Sequence, residues 1–376
     1  MDINTEIRDW VALSFVTGVG SRTALTLIDN FGKPSACFNA STSELEELGI
    51  KRKLIDLLKS GDAYKRADQE LQELERIGGQ AIPIASPEYP SLLRETFDPP
   101  IVLYCSGNLK LALGQPLVAI VGSRRCSTYG RNVAEMLGRE LAARGVTIVS
   151  GLARGIDSAA HQGALDGKGL TVGVIGTGLD EVYPKENKKL TEKVKENGAL
   201  LTEFPIGTPP LSQNFPFRNR IISGLSFGVM VVEGAERSGS LITARMAYEQ
   251  GRDVFAVPGN ITSSNSFGPN YLIKDGAKLV QTWRDVVEEL PADVKAEILS
   301  AERTEAKPTQ LTMDEVALSD TEKKVLSKIK SDEQIHIDEL ISQTKLSIGE
   351  LLSALLSLEM ADRIKQLPGK YFARKL

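Results

Sequence analysis

Between residues 117 and 259 the chain carries six short apolar runs, "LVAIVG", "VTIVSG", "LTVGVIGTG", "ALLTEFP", "FGVMVVEG" and "DVFAVPG". Each is rich in β-branched residues and ends in glycine or proline. Most are separated by stretches of helical period such as "GRNVAEMLGRELAARG" and "SLITARMAYEQG". Strands apolar on both faces that alternate with helices make a parallel sheet covered on each side. Residues 116 to about 285 are therefore expected to form a doubly wound, Rossmann-like α/β domain. A chain of 376 residues is long for a single core, so two or three domains are expected.

The flanks read differently. Residues 1–75 give short helical patterns, and "LSFVTGVGSRTALTLIDNFG" has the form of a helix, a turn at Gly18 and Gly20, and a second helix. That is either a helix-hairpin-helix whose glycines present N–H groups to a phosphate, or a small helical domain packing on its neighbour. The second reading is preferred, because one hairpin is a weak signal. The proline-rich residues 76–115 lead in with two short edge strands, extending the Rossmann-like domain to 76–290. Residues 291–318 are polar and charged and read as a linker. From 319 to 376, three helical patterns and a basic hairpin around Pro368-Gly369 suggest a winged helix.

In an open parallel sheet, ligands bind beyond the carboxyl ends of the strands, where strand order reverses. Here those ends carry Gly122-Ser123-Arg124-Arg125, then Arg154 between Gly151 and Gly155, then Lys185, then Arg218-Asn219-Arg220, then Gly239-Ser240. Glycines let backbone approach an anion, and arginine offers forked donors to phosphate. One such turn is unremarkable, whereas five on one sheet edge point to an anion-binding crevice. Two residues apart on a helix, Arg218 and Arg220 point about 200° apart. One can face the crevice while the other holds an acid of the fold. Phe215 and Phe217 flank this run. Aromatics interleaved with arginines suit a single strand, whose bases stack on rings while phosphates meet guanidinium groups. Phe215 fits a stacking or a core position equally, and Phe217 is expected in the core.

Catalytic machinery is sparse. His161 lies in a small-residue helical pattern and reads as a packed histidine. Asp157, Glu203 and Glu233 read as helix caps or arginine anchors. No G-x-S-x-G elbow or Walker lysine is present. Two histidines and three scattered cysteines, Cys37, Cys105 and Cys126, give no metal spacing, so no catalytic residue, metal or cofactor is expected. The acidic start "MDINTEIRDWVALSF" lacks a signal pattern and no apolar run approaches a membrane span, which gives a cytoplasmic expectation and no membrane partner. A net charge of −4 does not exclude nucleic acid, since a groove needs only local positive charge.

Taken in order, "IVGSRR", "SGLARGIDSAAHQGAL", "GTGLDEVYPKEN", "FPFRNRIISGLS" and "RSGSLITARMAYEQGRDVFAVPG" resemble the DNA-processing protein A (DprA/Smf) family. That resemblance implies a SAM-like or helix-hairpin-helix N-terminal domain and a C-terminal winged helix. It also implies a non-enzymatic, homodimeric protein of natural transformation that binds and protects incoming single-stranded DNA and loads the RecA recombinase onto it. By the same resemblance the DNA pocket uses Ser123, Arg124, Gly151, Lys185, Arg218, Asn219 and Arg220, with Phe215 stacking on a base. The sequence departs from many relatives at Ser212, where a lysine is usual, and at Asn214, where a histidine is usual. A rival of the same broad fold, the lysine-decarboxylase-like nucleoside-phosphate hydrolases, uses a PGGxGTxxE motif. The nearest stretch, "RSGSLITA", puts Thr243 where the catalytic glutamate would stand. The pattern of the tail adds one expectation of its own. Residues 348–360 contain no Lys or Arg, so this helix is a poor reader of a major groove, and the module is expected to touch DNA backbone through its basic hairpin or to bind protein.

Overall fold

The computed structural model describes residues 3–305, 318–330, 333–361 and 363–374. Its centre is a nine-stranded sheet in the order β1-β2-β6-β5-β4-β3-β7-β8-β9. The strands are β1 Gly79–Pro83, β2 Val102–Gly107, β3 Leu117–Val121, β4 Thr147–Ser150, β5 Thr171–Val174, β6 Gly198–Thr202, β7 Gly228–Val231, β8 Asp253–Ala256 and β9 Lys278–Leu279. All six apolar runs form strands, β3 to β8, and pair in parallel. The proline-rich lead-in supplies the expected edge pair: β1 and β2 form an antiparallel hairpin, and β2 lies antiparallel to β6. From β3 the chain winds outward through β4, β5 and β6, then returns to the other side of β3 with β7. The reversal therefore lies between β3 and β7, with the "GSRR" turn at its mouth.

β3 is buried at every residue, and β4 to β7 likewise, because helices cover both faces. Two glycines show how closely they fit. A Cβ on Gly138 would lie 2.7 Å from the Ala160 carbonyl oxygen, and one on Gly163 would strike the backbone of Glu135. The helices Thr128–Ala142 and Ile156–Asp166 thus pack backbone to backbone.

Six helices precede the sheet, from Ile3–Ser14 to Asp62–Arg76. The Gly18–Gly20 turn joins the first to the Ser21–Phe31 helix, with Gly18 at φ +95°. These helices share a core with the sheet. Trp10, Val11 and Leu13 belong to the same buried cluster as Leu103, Tyr104, Val172 and Leu201. The main-chain N–H of Ile206 also donates to Glu70 at 2.9 Å. A boundary at residue 75 thus cuts through packed side chains rather than through a linker.

The expected linker 291–318 is corrected over its first half. Ala292–Glu305 is a helix. It follows Pro291 and places Ile298 in the core cluster that holds Trp283, Val286 and Leu290, with Val294 and Leu299 packed against it. Apolar residues at helical spacing outweigh the local charge. Residues 306–317 of that segment lie outside the described residues. The C-terminal module has its own core of Val325, Ile329, Leu340, Leu351, Leu355, Leu358 and Phe372. Three helices, Asp320–Leu326, Ile337–Thr344 and Ile348–Met360, pack with β10 Gln334–His336, β11 Ile364–Leu367 and β12 Tyr371–Arg374, a winged-helix arrangement. β10 was not foreseen, since three residues carry too little pattern. Of the hairpin charges, Asp362 and Lys375 lie outside the described residues.

Candidate nucleic-acid interface

The turn after β3 is held from across the reversal point. The Ser123 main-chain N–H donates to the carbonyl of Glu233 at 2.8 Å, and the Ile156 N–H donates to the Ser123 carbonyl at 3.2 Å. The buried Glu233 carboxylate accepts from the Ser127 N–H at 2.8 Å and from the Ser127 hydroxyl at 2.5 Å. Ser127 in turn caps the Thr128–Ala142 helix through the Gly130 N–H. Gly155, at φ +76°, sits so close to the Ser123 carbonyl that any Cβ would strike it. Glu233 is thus the anchor of this turn, holding the capping serine where the sequence suggested a helix cap or an arginine partner. With the turn so fixed, Arg124 and Arg125 are both exposed.

Arg124 reaches toward the neighbouring strand ends. Its guanidinium carbon lies 5.2 Å from the centre of the Phe215 ring, a cation–π distance. Phe215 is half-buried at the start of the Asn214–Leu225 helix, 3.1 Å from where a Cβ on Gly176 would stand. Its ring centre is 5.3 Å from that of Tyr183, which is 42% exposed. Tyr183 precedes a cis Pro184, and exposed Lys185 follows. Tyr183 was not singled out in the sequence, although its place beside Pro184 on a glycine-rich strand end was the available signal. The mouth of the crevice therefore combines Arg124, Phe215, Tyr183 and Lys185. Asn214 explains one departure from the relatives: its side-chain amide donates to the Gly176 carbonyl at 3.0 Å, fixing the start of the aromatic-bearing helix. Ser212 is exposed and holds no such bond among the described residues.

The basic pair behind Phe215 turns inward. Arg218 is only 3% exposed, and its guanidinium donates to the carbonyls of Gly151, at 2.8 Å, and Val174. The buried Asp157 carboxylate lies beside it and accepts from the Gly151 N–H at 3.2 Å. Burial pushes the Asp157 carboxyl up, against the Arg218 charge, and the same burial lowers Arg218 to about 10. Gly151 is where this guanidinium lies flat on backbone, so no side chain fits there. Arg218 and Gly151 thus form the floor of the crevice rather than its exposed grip. Arg220 takes the other expected part and holds an acid of the fold. Its guanidinium pairs with Glu203 and lies 3.5 Å from Asp98. Burial raises Glu203 to about 7 despite that partner. Asn219 is half-buried between them. Phe217, expected in the core, is 48% exposed, with the Arg220 guanidinium 4.4 Å from its ring centre. The buried ion pair beneath it occupies the space a core ring would need.

Two other candidates are accounted for by packing. The His161 ring is fully buried, and its Nδ1 lies 2.7 Å from the Thr171 hydroxyl. That hydroxyl donates to the Ile148 carbonyl, so Nδ1 carries the proton. Desolvation lowers His161 to about 3. Thr243, at the position of the hydrolase glutamate, is 2% exposed and donates to the Gly239 carbonyl at 3.3 Å. Arg154 is tied to Glu186 in a surface pair. Among the described residues no three His, Cys, Asp or Glu side chains gather as a metal site, and no helix is long and apolar enough to cross a membrane.

Comparison with known proteins agrees with this architecture. Residues 80–291 match the family model described as DNA recombination-mediator protein A, and residues 308–370 match the DprA winged helix domain. The Smf protein of Escherichia coli is 43% identical over 308 residues, covering 82% of this chain and 80% of its own length. The solved DNA processing protein A of Streptococcus pneumoniae superposes with a TM-score of 0.67 at 38% identity, over 77% of this chain and 99% of that one. The DNA processing protein A of Helicobacter pylori, studied for its unique single-stranded DNA binding mode, superposes with a TM-score of 0.51 at 30% identity, over 60% of this chain and 96% of that one. Sheet order, the anchored turn at the reversal point and these matches agree: the chain belongs to the DNA-processing protein A (DprA/Smf) family.

Proposed function

We propose that the crevice at the β3–β7 reversal binds single-stranded DNA without catalysing a reaction. The observation that carries this is the placement of exposed Arg124 over the half-buried Phe215 ring, itself beside the exposed Tyr183 ring, with Lys185 two residues further on. Unstacked bases have flat faces to lay on those rings, and successive phosphates meet the cations. A duplex hides its base faces and gains little from such a site. Ser123, Gly151, Arg218 and Asn219 support the reading by shaping the turn and floor, and Arg220 by seating the helix that carries Phe215. Kinship with the H. pylori protein supports the same ligand. Family membership extends the proposal to natural transformation, in which the protein shields incoming strands and loads RecA recombinase onto them.

Homodimerisation belongs to the same proposal. Phe267 and Tyr271 are 47% and 52% exposed, with ring planes 4° apart, and Leu279 lies beyond them on the last strand of the sheet. Such an apolar edge suits a second copy of the chain.

The test is a salt titration of single- and double-stranded DNA binding for the wild type and Arg124→Ala. Arg124→Ala should weaken single-strand binding about tenfold or more and reduce the magnitude of the salt slope by about 0.7. Unchanged affinity and slope would overturn the site.

A further inference from the structure

Phe97 is 76% exposed, in the loop that precedes β2. One face of its ring is covered by Arg22, whose guanidinium carbon is 4.8 Å from the ring centre. Arg22 is itself exposed and has no ion pair among the described residues. It stands at the start of the Ser21–Phe31 helix, directly after the Gly18–Gly20 turn. The residue after Phe97, Asp98, lies 3.5 Å from Arg220, and Arg220 covers one face of exposed Phe217. Phe217 and Phe215 stand two residues apart in the first turn of one helix. The helix that carries Phe215 at the crevice thus leads, on another face, through Phe217, Arg220 and Asp98 to Phe97 and Arg22 at the N-terminal helices. Along this line, each of the three rings has an arginine at cation–π distance.

We infer that this line is a second stretch of the single-strand track, with Phe97 and Arg22 binding nucleotides that have passed beyond the crevice. The inference rests on the single-strand reading of the crevice and deepens it. An exposed aromatic with a guanidinium on one face offers the other face to a base, and the guanidinium is at hand for the adjoining phosphate. Charge sorts the occupants: Arg22 attracts an anionic strand, while Asp98 is already engaged by Arg220. On this reading the N-terminal helices are part of the DNA-binding surface as well as of the core.

The experiment uses the full chain and oligothymidines of two lengths, about 6 and about 20 nucleotides, the shorter matched to the crevice alone. Phe97→Ala should weaken binding of the longer strand about tenfold and leave the shorter within about twofold, since one stacked base contributes about 1–3 kcal/mol. Arg22→Gln should lower the salt slope for the longer strand by about 0.7 with no change for the shorter. Phe97→Trp keeps the ring, so it should restore affinity, and its emission should be quenched by the longer strand only. The native tryptophans do not obscure that signal, because Trp10 and Trp283 are 3% and 6% exposed. Equal losses at both lengths, or no loss at either, would overturn the inference while leaving the crevice intact. Failure of the wild type to bind either length would overturn the crevice reading, and this one with it.

Discussion

Three arginines of the site have the same chemistry and three different tasks, and burial separates them. Arg124 is exposed, so its removal should cost DNA affinity and little stability. Arg218 is sealed against Asp157 and two carbonyls. Replacing it with methionine strands a buried carboxylate, and chemical denaturation should show a loss of about 3–5 kcal/mol. Gly151→Ala pushes a methyl group into the same guanidinium and should cost about 1–3 kcal/mol by the same measurement. His161 gives the pH dependence. Its folded value of about 3 lies below the ordinary 6.5, so it stays neutral when folded while the unfolded chain takes up a proton. Its stabilising contribution is complete above pH 6.5 and falls by about 1.4 kcal/mol per pH unit below that, until about pH 3. The stability difference between wild type and His161→Gln, followed from pH 7.5 to 5, should therefore shrink as pH falls; a constant difference would show that His161 is not neutral in the fold. At this scale the sequence supplied charge and spacing but not depth. "FRNR" shows two equivalent arginines, and only the strands that later surround them decide that one lies on backbone and the other on Glu203.

Elements were more legible than side chains. The six apolar runs announced the parallel strands because a strand buried on both faces has no polar alternation to disguise it. The Ala292–Glu305 helix was missed because its polar face dominates composition, while only Val294, Ile298 and Leu299 mark the buried side. The Ile348–Met360 helix is the reverse case. It leaves Ile348, Leu352 and Leu356 exposed at four-residue spacing, in a face without a basic group. Such a face has no means of pairing with phosphates. Replacing Leu352 and Leu356 with serine should accordingly keep single-strand affinity within about twofold and leave the salt slope unchanged, as read by fluorescence anisotropy. A large loss would move part of the DNA grip into the winged helix.

At the scale of the molecule, the shared core of helices and sheet predicts one cooperative unit where domain boundaries suggested two. Removing residues 1–75 uncovers Leu103, Tyr104 and their neighbours, so the shortened chain should aggregate or lose its sharp thermal transition. The exposed ring pair at Phe267 and Tyr271 makes a separate prediction. Tyr271→Glu should convert a dimer to a monomer in light scattering while leaving the thermal transition within a few degrees. The anchoring of the "GSRR" turn has a consequence in time. Ser127 and the carboxylate that fixes it are 106 residues apart, on strands that meet only after the sheet has reversed direction. During synthesis β3 emerges early, yet its turn stays loose until β7 has been made and inserted beside it. The crevice proposed for nucleic acid thus cannot be completed before the chain has passed Glu233, and a nascent chain halted short of that residue has no anchored turn.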